Sequence, residues 1–559
     1  MKQLILVSLG LFLFVSPGFA QSNLAAQLEQ LNTLLKPAIT IDKNEVSQQL
    51  KWDAASPWRA TLEVHTGGSK SQKTERYEAN FGDFNPYLIT RQSKDKYQGV
   101  LCRTEKDRDY IGYWKDGEQE NYRSTLLFYF PDANTADEAV KILKEIAPIA
   151  KEQWEKSLQI PEGLTAIHDF IAKQITSIEA GEKTVKQRLD HSPDFPDRAI
   201  LEVETTGKSA AEIERFAWSW GDINPLGVEF KATGKQIRVE IETRRKLKFV
   251  QAIKNGQPDG YDNTVSILVR DPDAGKLLVR SLEKIAPAGE KELLARMPKI
   301  TSFAQGIQLI NEQVKPFSAN KYSYEQQFKP ECLTSYTTLS VREEGGQKEE
   351  IKRNFHFADL QANTVDLKIG SREISVRAAT AQKVNFIEVL RNGESATTYA
   401  DDIEIPVGSV EAARMVQHIL PQLIALCPQQ VQPETFDWLA GALADMPSLK
   451  ARQVVSLKRA DTGKDCSWVL TSTTISEKKS VEEVFEFDLD RLDAKAVKFD
   501  AKGKNIELVL PTRFNEKVVK HYKDGKQDFT NKIEIPLDSI EKAKKAAKTV
   551  QDLIERCGK

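Results

Sequence analysis

Between residues 158 and 298 the apolar positions change period along the chain. Leu164, Ile167, Ile171, Ile175 and Ile178 recur at mostly helical spacing and predict a leading helix. Strands follow over Ile200 to Glu204 and Glu212 to Trp220, the second placing Phe216, Trp218 and Trp220 on one face. Ile237, Val239 and Ile241 then alternate with Arg238, Glu240 and Glu242, the pattern of a half-buried strand. Phe249 to Ile253, the dipeptide Asn255-Gly256 and Thr264 to Val269 predict a hairpin whose loop exceeds two residues. Ala274 to Ala286 predicts a closing helix that stops near Pro287. At the chain's end Ile540, Ala543, Ala547, Val550, Ile554 and Cys557 form one apolar stripe, suited to lie on a sheet.

This succession is not confined to one stretch. Pro57-Trp58-Arg59-Ala60-Thr61-Leu62-Glu63-Val64 matches Pro196-Asp197-Arg198-Ala199-Ile200-Leu201-Glu202-Val203 at an offset of 139. The same offset carries Gly82-Asp83-Phe84-Asn85-Pro86 onto Gly221-Asp222-Ile223-Asn224-Pro225, and Ile146-Ala147-Pro148 onto Ile285-Ala286-Pro287. Two further copies are fainter. Thr104, Thr243, Thr380 and Thr512 each stand 12 positions before a turn dipeptide: Asp116-Gly117, Asn255-Gly256, Asn392-Gly393 and Asp524-Gly525. Upstream, Tyr77, Phe216, Phe355 and Phe485 open a strand at 27, 27, 25 and 27 residues before the threonine. Four tandem repeats with periods of 139, 137 and 132 account for these columns.

The expected fold class is therefore α+β: four tandem repeats, each a leading helix, about six antiparallel strands in a meander, and a closing C-terminal helix. The boundaries are 1–20 for a leader, then 21–157, 158–298, 299–431 and 432–559. In element order alone the unit resembles a pleckstrin-homology-type sandwich, with a helix-covered open sheet as the alternative; order of elements implies no activity.

The leader changes the compartment. Lys2 supplies a positive start, Leu4 to Val15 an apolar stretch of 12 residues, and Gly18-Phe19-Ala20 small residues at the −3 and −1 positions, so a signal peptide cleaved after Ala20 is expected. An uncleaved anchor would need a longer span, and no later segment approaches 18 uninterrupted apolar residues. Periplasmic or secreted location follows, with no membrane insertion after cleavage. Lys and Arg total 79 against 81 for Asp and Glu, a balance that gives no overall pull toward nucleic acid or anionic membrane.

In such a compartment the cysteines read as bridges. Cys332 and Cys427 sit in the third repeat, Cys466 and Cys557 in the fourth, and each second cysteine follows a proline (Pro406, Pro536) by 21 positions. Disulfides Cys332–Cys427 and Cys466–Cys557 are expected, each worth about 4–5 kcal/mol in the chain-entropy account. Free thiols or zinc are the alternatives, and zinc lacks both a CxxC and histidines at ligand spacing. Cys102 aligns with Ile241, Ala378 and Leu510, so a buried strand residue is expected there, not a reactive thiol.

Candidate chemistry is sparse. His65, His168, His191, His356, His418 and His521 form no i+2 or i+4 pair, and neither HExxH, GxSxG, a P-loop nor a strand-borne GxGxxG is visible. No catalytic residue, metal or cofactor is expected. Asp488, Asp490 and Asp493 lack the glycine and closing glutamate of a calcium loop and read as a turn. Asp83 and Asp222 could hold a ligand at two equivalent sites, but capping of the turn explains them more simply, with Asn363 and Asp493 in the turn's Asn column of the later repeats. Trp52, Trp58, Tyr110, Tyr113 and Trp114 concentrate in the first repeat; Tyr113 and Trp114 are the candidate ligand surface, a reading their burial would remove. The expected function is a non-catalytic binding or scaffold protein engaging an extracellular or envelope protein or glycan. The alternatives are an enzyme assembled between repeats, marked by convergent acids of perturbed pKa, or a structural envelope component.

Overall fold

The computed structural model describes residues 18–558 except 69–71, 95–96, 181–182, 193–194, 208–209, 320, 371–372, 396–398, 428–431, 444–445, 448–450, 462–464, 478 and 503–504. The expected leader thus falls almost wholly outside the described residues. Eight α-helices are described: α1 Gly18–Leu35, α2 Ala133–Ser157, α3 Leu164–Gln174, α4 Pro272–Ala295, α5 Phe303–Gln313, α6 Val410–Leu426, α7 Phe436–Ala442 and α8 Ile540–Cys557. Antiparallel strands make up most of the rest. The chain divides into two compact units, Met1–Arg296 and Met297–Lys559.

In the first unit the strands Ile39–Ile41, Asn44–Asp53, Ser56–Gly67 and Gln72–Asn80 run in sequence, and the hairpin Gly112–Lys115 and Glu118–Gln119 completes a six-stranded sheet. Between them the chain leaves to form Thr90–Lys94 and Tyr97–Arg103, which pair with Thr125–Phe130 in a three-stranded sheet. The same order is found for the strands from Ile178–Ala180 to Thr264–Val269. In the second unit it is found from Phe317–Ala319 to Asp402–Val407, and from Met446–Pro447 to Lys532–Leu537. Nine strands stand where about six were expected. The difference arises at the Gly-Asp turn, where two short 3-10 helices, Phe81–Asp83 and Pro86–Leu88, redirect the chain out of the larger sheet.

The hairpin differs in two ways from the sequence expectation. Lys254 pairs with Gln257, so the loop is the two residues Asn255-Gly256, and both have positive φ (48° and 78°), the geometry that matches strand twist. Its second strand is Gln257–Asp262, whereas Thr264–Val269 crosses to the small sheet and pairs with Gln236–Thr243. The turn side chain also staples the neighbouring strand: Asp116, Asn255 and Asn392 accept from the backbone N–H of Thr74, Ile213 and Glu350 at 2.9, 3.0 and 3.0 Å.

The buried threonine column has a local cause. Thr104, Thr243, Thr380 and Thr512 each donate their hydroxyl to the carbonyl four residues on, closing a tight turn that passes through left-handed backbone. The two sheets are tied by a glutamine. Gln48 donates to the Tyr129 carbonyl at 2.7 Å and accepts from its N–H at 3.0 Å; Gln187 does the same with Leu268 at 2.9 Å each way. Gln326 reaches the Pro406 carbonyl at 2.8 Å, but proline offers no N–H, and its amide oxygen takes the Tyr336 hydroxyl instead.

Closing helices cover this core. Ala543, Val550 and Ile554 of α8 are fully buried, as the stripe predicts, and Ala546, outside that stripe, is fully buried with them. Helix α4 does not stop near Pro287 but continues to Ala295, and α2 and α6 likewise run through Pro148 and Pro421. A helical proline forfeits one hydrogen bond; burial of Ile285, Ala286 and Gly289 in the same turns offsets it. No helix among the described residues is long and apolar enough to cross a membrane.

Candidate functional site

The Gly-Asp-x-Asn-Pro motif is the most distinctive string in the chain, and the structure gives each member its own task. Gly82 lies against α2 so closely that a Cβ would fall 2.6 Å from Lys151 Cα, and Gly221 would meet Glu290 Cα of α4 at 2.9 Å. Glycine is required there for backbone to touch backbone. Asn85 and Asn224 cap the following turn, accepting from the N–H of Tyr87 and Leu226 at 3.0 and 3.2 Å. Asp493 does the same for Lys495 at 3.0 Å. Strand register places Gln361, not Asn363, in this column of the third stretch: Gln361 N–H bonds the Ala379 carbonyl as Asn85 N–H bonds that of Arg103.

Asp83 does not cap the turn. Its carboxylate takes Lys276 Nζ of α4 at 2.7 and 2.8 Å, and Asp273 holds the same ammonium at 2.7 Å. The Asp83 and Lys276 side chains are only 11% and 12% exposed. Trp154 places its ring 4.6 Å from the ammonium. Burial pushes the Asp83 carboxyl up to about 6; Lys276 opposes this, and Asp273 adds to it. Burial works against the charge of Lys276 as well, but Asp83 and Asp273 outweigh it and hold the amine above the ordinary lysine range. A permanently charged, fully bonded ammonium is a clamp and not a nucleophile.

Clefts flank this clamp on two sides. One of about 260 Å³ is lined by Arg59, Glu78, Tyr110, Trp114, Tyr122 and Asp271. Arg59 meets Asp271 at 3.3 Å and Glu78 at 3.6 Å, and Asn80 donates to Asp273 at 3.0 Å. The other, about 370 Å³, is bordered by Asp83, Lys106, Arg108, Lys151, Trp154 and Arg280. Of the two candidate ligand residues, Tyr113 is 4% exposed, stacks on Tyr77 and donates its hydroxyl to Glu75 at 2.6 Å, which takes it away from any ligand surface. Trp114 is half-buried, lines the smaller cleft, and carries the Arg76 guanidinium 4.1 Å above its ring. Trp52 and Trp58 pack against the core.

The second unit holds a matching clamp. Lys544 of α8 stands five residues after the helix cap Ser539, as Lys276 stands five after Asp271, and it binds Asp359 together with Glu541 at 2.7 Å. The aromatic contact beside it also corresponds: Tyr110 meets Phe230 at 4.9 Å in one unit and Phe386 meets Phe499 at 4.9 Å in the other. Asp222 is buried. These lysines escaped the sequence reading because a lone basic residue on a helix carries no motif; its partner is a turn residue 193 or 185 positions away.

Outside the clamps, the histidines scattered in sequence are partly assembled in space. His168 of α3 stacks on His191 with ring centroids 3.4 Å apart, and its Nδ1 accepts from Trp220 Nε1 at 3.1 Å. Burial first, and His191 second, lower the His168 pKa to about 4. No group of three or more potential metal ligands is found among the described residues. Cys102 is buried in the same strand column as Ile241, Ala378 and Leu510, and burial pushes its thiol far up, away from thiolate chemistry. Sulfur atoms of Cys332 and Cys427 lie 2.08 Å apart and those of Cys466 and Cys557 2.03 Å apart, disulfide distances that fit an oxidising, extracellular setting. No protein-family model matches the chain, and no curated protein matches it either.

Proposed function

We propose that the protein is an exported, non-catalytic binding or scaffold protein built from four copies of one module, 21–157, 158–298, 299–431 and 432–559, with a leader removed after Ala20. Its partner is an envelope or extracellular protein or glycan. The observation that carries this reading is the clamp: Asp83–Lys276 in one unit and Asp359–Lys544 in the other occupy corresponding places. Charged groups spent alike at two joints serve to fix neighbouring modules, whereas a reactive dyad has no need of duplication. The half-buried Trp114 beside Tyr122 and Arg59 supplies an aromatic contact surface.

Immobilised full-length mature chain should retain a specific protein or glycan from an envelope fraction, and Trp114→Ala should weaken retention at least tenfold. Retention unchanged in Trp114→Ala, or no retention at all, overturns the surface assignment. A second reading, an enzyme whose site lies beside the first clamp, is favoured by the raised Asp83 pKa at the edge of a 370 Å³ cleft. Turnover of any substrate that Asp83→Asn abolishes would establish it in place of the first.

A further inference from the structure

Both clamps join the same two kinds of face. The turn that carries Asp83 or Asp359 meets the start of the helix that carries Lys276 or Lys544. Aromatic side chains from the turn side complete each contact. Tyr110 and Phe386, six residues after Thr104 and Thr380, meet Phe230 and Phe499, while Tyr122 and Tyr399 pack on the core of the module that follows. One further face of each kind is open to solvent, and on both the residue types change.

The open turn face belongs to the fourth module. Asp83, Asp359 and Arg491 each precede the residue bridged to the column threonine (Phe84 to Thr104, Leu360 to Thr380, Leu492 to Thr512), so an arginine stands in the place of the acid. Arg491 is exposed and makes no hydrogen bond or ion pair among the described residues. Val518 stands where Tyr110 and Phe386 do, and Phe529 where Tyr122 and Tyr399 do. They are 37% and 44% exposed, and nearby Phe514 is 91% exposed. The open helix face belongs to the first module. Asp137 of α2 stands five residues after the cap Asp132, in the place of Lys276 and Lys544, and Asn134 replaces the second acid, Asp273 or Glu541. Arg91 lies opposite Val100 as Phe230 lies opposite Val239 and Phe499 opposite Leu508. It bonds one oxygen of the exposed Asp137 at 2.8 Å, and the carboxylate keeps room for a second donor.

Acid and base have thus changed sides on these two faces. We propose that the turn face of the fourth module docks on the helix face of the first module of a second copy, head to tail, with Arg491 and Asp137 forming the clamp in reverse. Arg491 repels the lysines of the internal helix faces and Asp137 the acids of the internal turns, so the reversed pair selects its partner by excluding the others. Arg91, in the place of Phe230 and Phe499, covers Val518 and Phe514 with its aliphatic stem. Such a contact is heterologous and, repeated, closes a ring or extends a filament. Its charged groups are exposed beforehand, so the association is reversible and weakened by salt. It rests on the modular reading of the chain but not on the Trp114 surface, so self-association and retention of an envelope partner can fail separately.

Sedimentation equilibrium of the full mature chain at low salt, at concentrations up to about 100 µM, tests the proposal. The mean mass is expected to rise with concentration beyond that of a dimer. Arg491→Asp and Asp137→Lys install the residue types of the internal clamps, and each should weaken association at least about tenfold. Mixed in equal amounts, the two variants are complementary at every contact and should assemble again, as should the double variant Arg491→Asp/Asp137→Lys. Circular dichroism confirms that each variant is folded. A monomer throughout, association unchanged in either single variant, or no recovery on mixing each overturns the proposal. A two-fold dimer that joins two turn faces is lost in Arg491→Asp and kept in Asp137→Lys, which overturns it as well. Should Asp137→Lys not fold, Asp137→Ala takes its place, and unweakened association there overturns the proposal equally.

Discussion

Replacing Lys276 by methionine removes the ammonium that Asp83 and Asp273 share while keeping the length and much of the volume of the side chain. Breaking a buried ion pair from one side costs about 3–5 kcal/mol because the partner charge is left uncompensated. Two carboxylates are stranded here, but Asp83 can escape by taking a proton, and its pKa already stands at about 6. From there protonation at pH 7.5 costs about 2 kcal/mol, which caps its share of the loss. We expect Lys276→Met to lose about 3 kcal/mol at pH 7.5 and about 1–2 kcal/mol at pH 5, where Asp83 is largely protonated in the native protein as well. The sign for Asp83 itself is fixed by its raised pKa. Its folded state binds the proton more tightly than the unfolded chain, so the protein loses stability from this group as pH rises from about 4 to 6. Asp83→Asn should therefore be close to neutral at pH 5 and neutral or stabilising at pH 7.5. In the double variant Lys276→Met/Asp83→Asn, about 2 kcal/mol of the single-variant loss should be recovered. Urea unfolding followed by tryptophan emission reads all four corners of the cycle, with Trp154 reporting directly because its ring lies 4.6 Å from the ammonium. A Lys276→Met loss below about 1 kcal/mol with no dependence on pH would refute the clamp, since an ion pair that costs so little to break is an exposed one.

His168 has the opposite sign: its pKa falls to about 4 on folding, so its contribution is intact above pH 6.5 and about 2–3 kcal/mol is lost as pH drops from 6.5 to 4. Urea midpoints across that range should slope downward with acid, and His168→Gln should flatten them. Gly289→Ala brings a Cβ within 2.4 Å of Trp220 Cβ and 2.7 Å of Gly221 N, so α4 must shift; about 2–3 kcal/mol should be lost, measured by thermal melting. Replacing Cys332 and Cys427 together by alanine should cost about 2–5 kcal/mol, read as a fall in urea midpoint that dithiothreitol does not deepen at that bridge. Cys102 should ignore a thiol reagent in the native protein and react fully in denaturant, as a thiol at 0% exposure requires.

Much of this architecture is written locally. Helix and strand periods, the two-residue turn chemistry of Asn255-Gly256 and its counterparts, the burial of Cys102 and the partnership of the four cysteines all follow from residue types at short or regular spacing, because backbone geometry and apolar burial act on each segment alone. Spacing also held information that residue type concealed: Arg353 lies opposite Tyr336 as Tyr77, Phe216 and Phe485 lie opposite Leu62, Leu201 and Leu470, and it keeps the regular interval of 27, yet an expectation of aromatics in that column favoured Phe355 instead. Other features required the folded chain. The departure of two strands to a second sheet, the passage of α4 through Pro287, and the joining of Asp83 to Lys276 across 193 residues depend on which surfaces meet, and a lone charge carries no mark of its distant partner. Tyr113 and Trp114 show the division most plainly. Neighbours in sequence, they point to opposite faces of one strand, so packing buries the first and leaves the second lining a cleft, an outcome settled by what lies above and below the sheet.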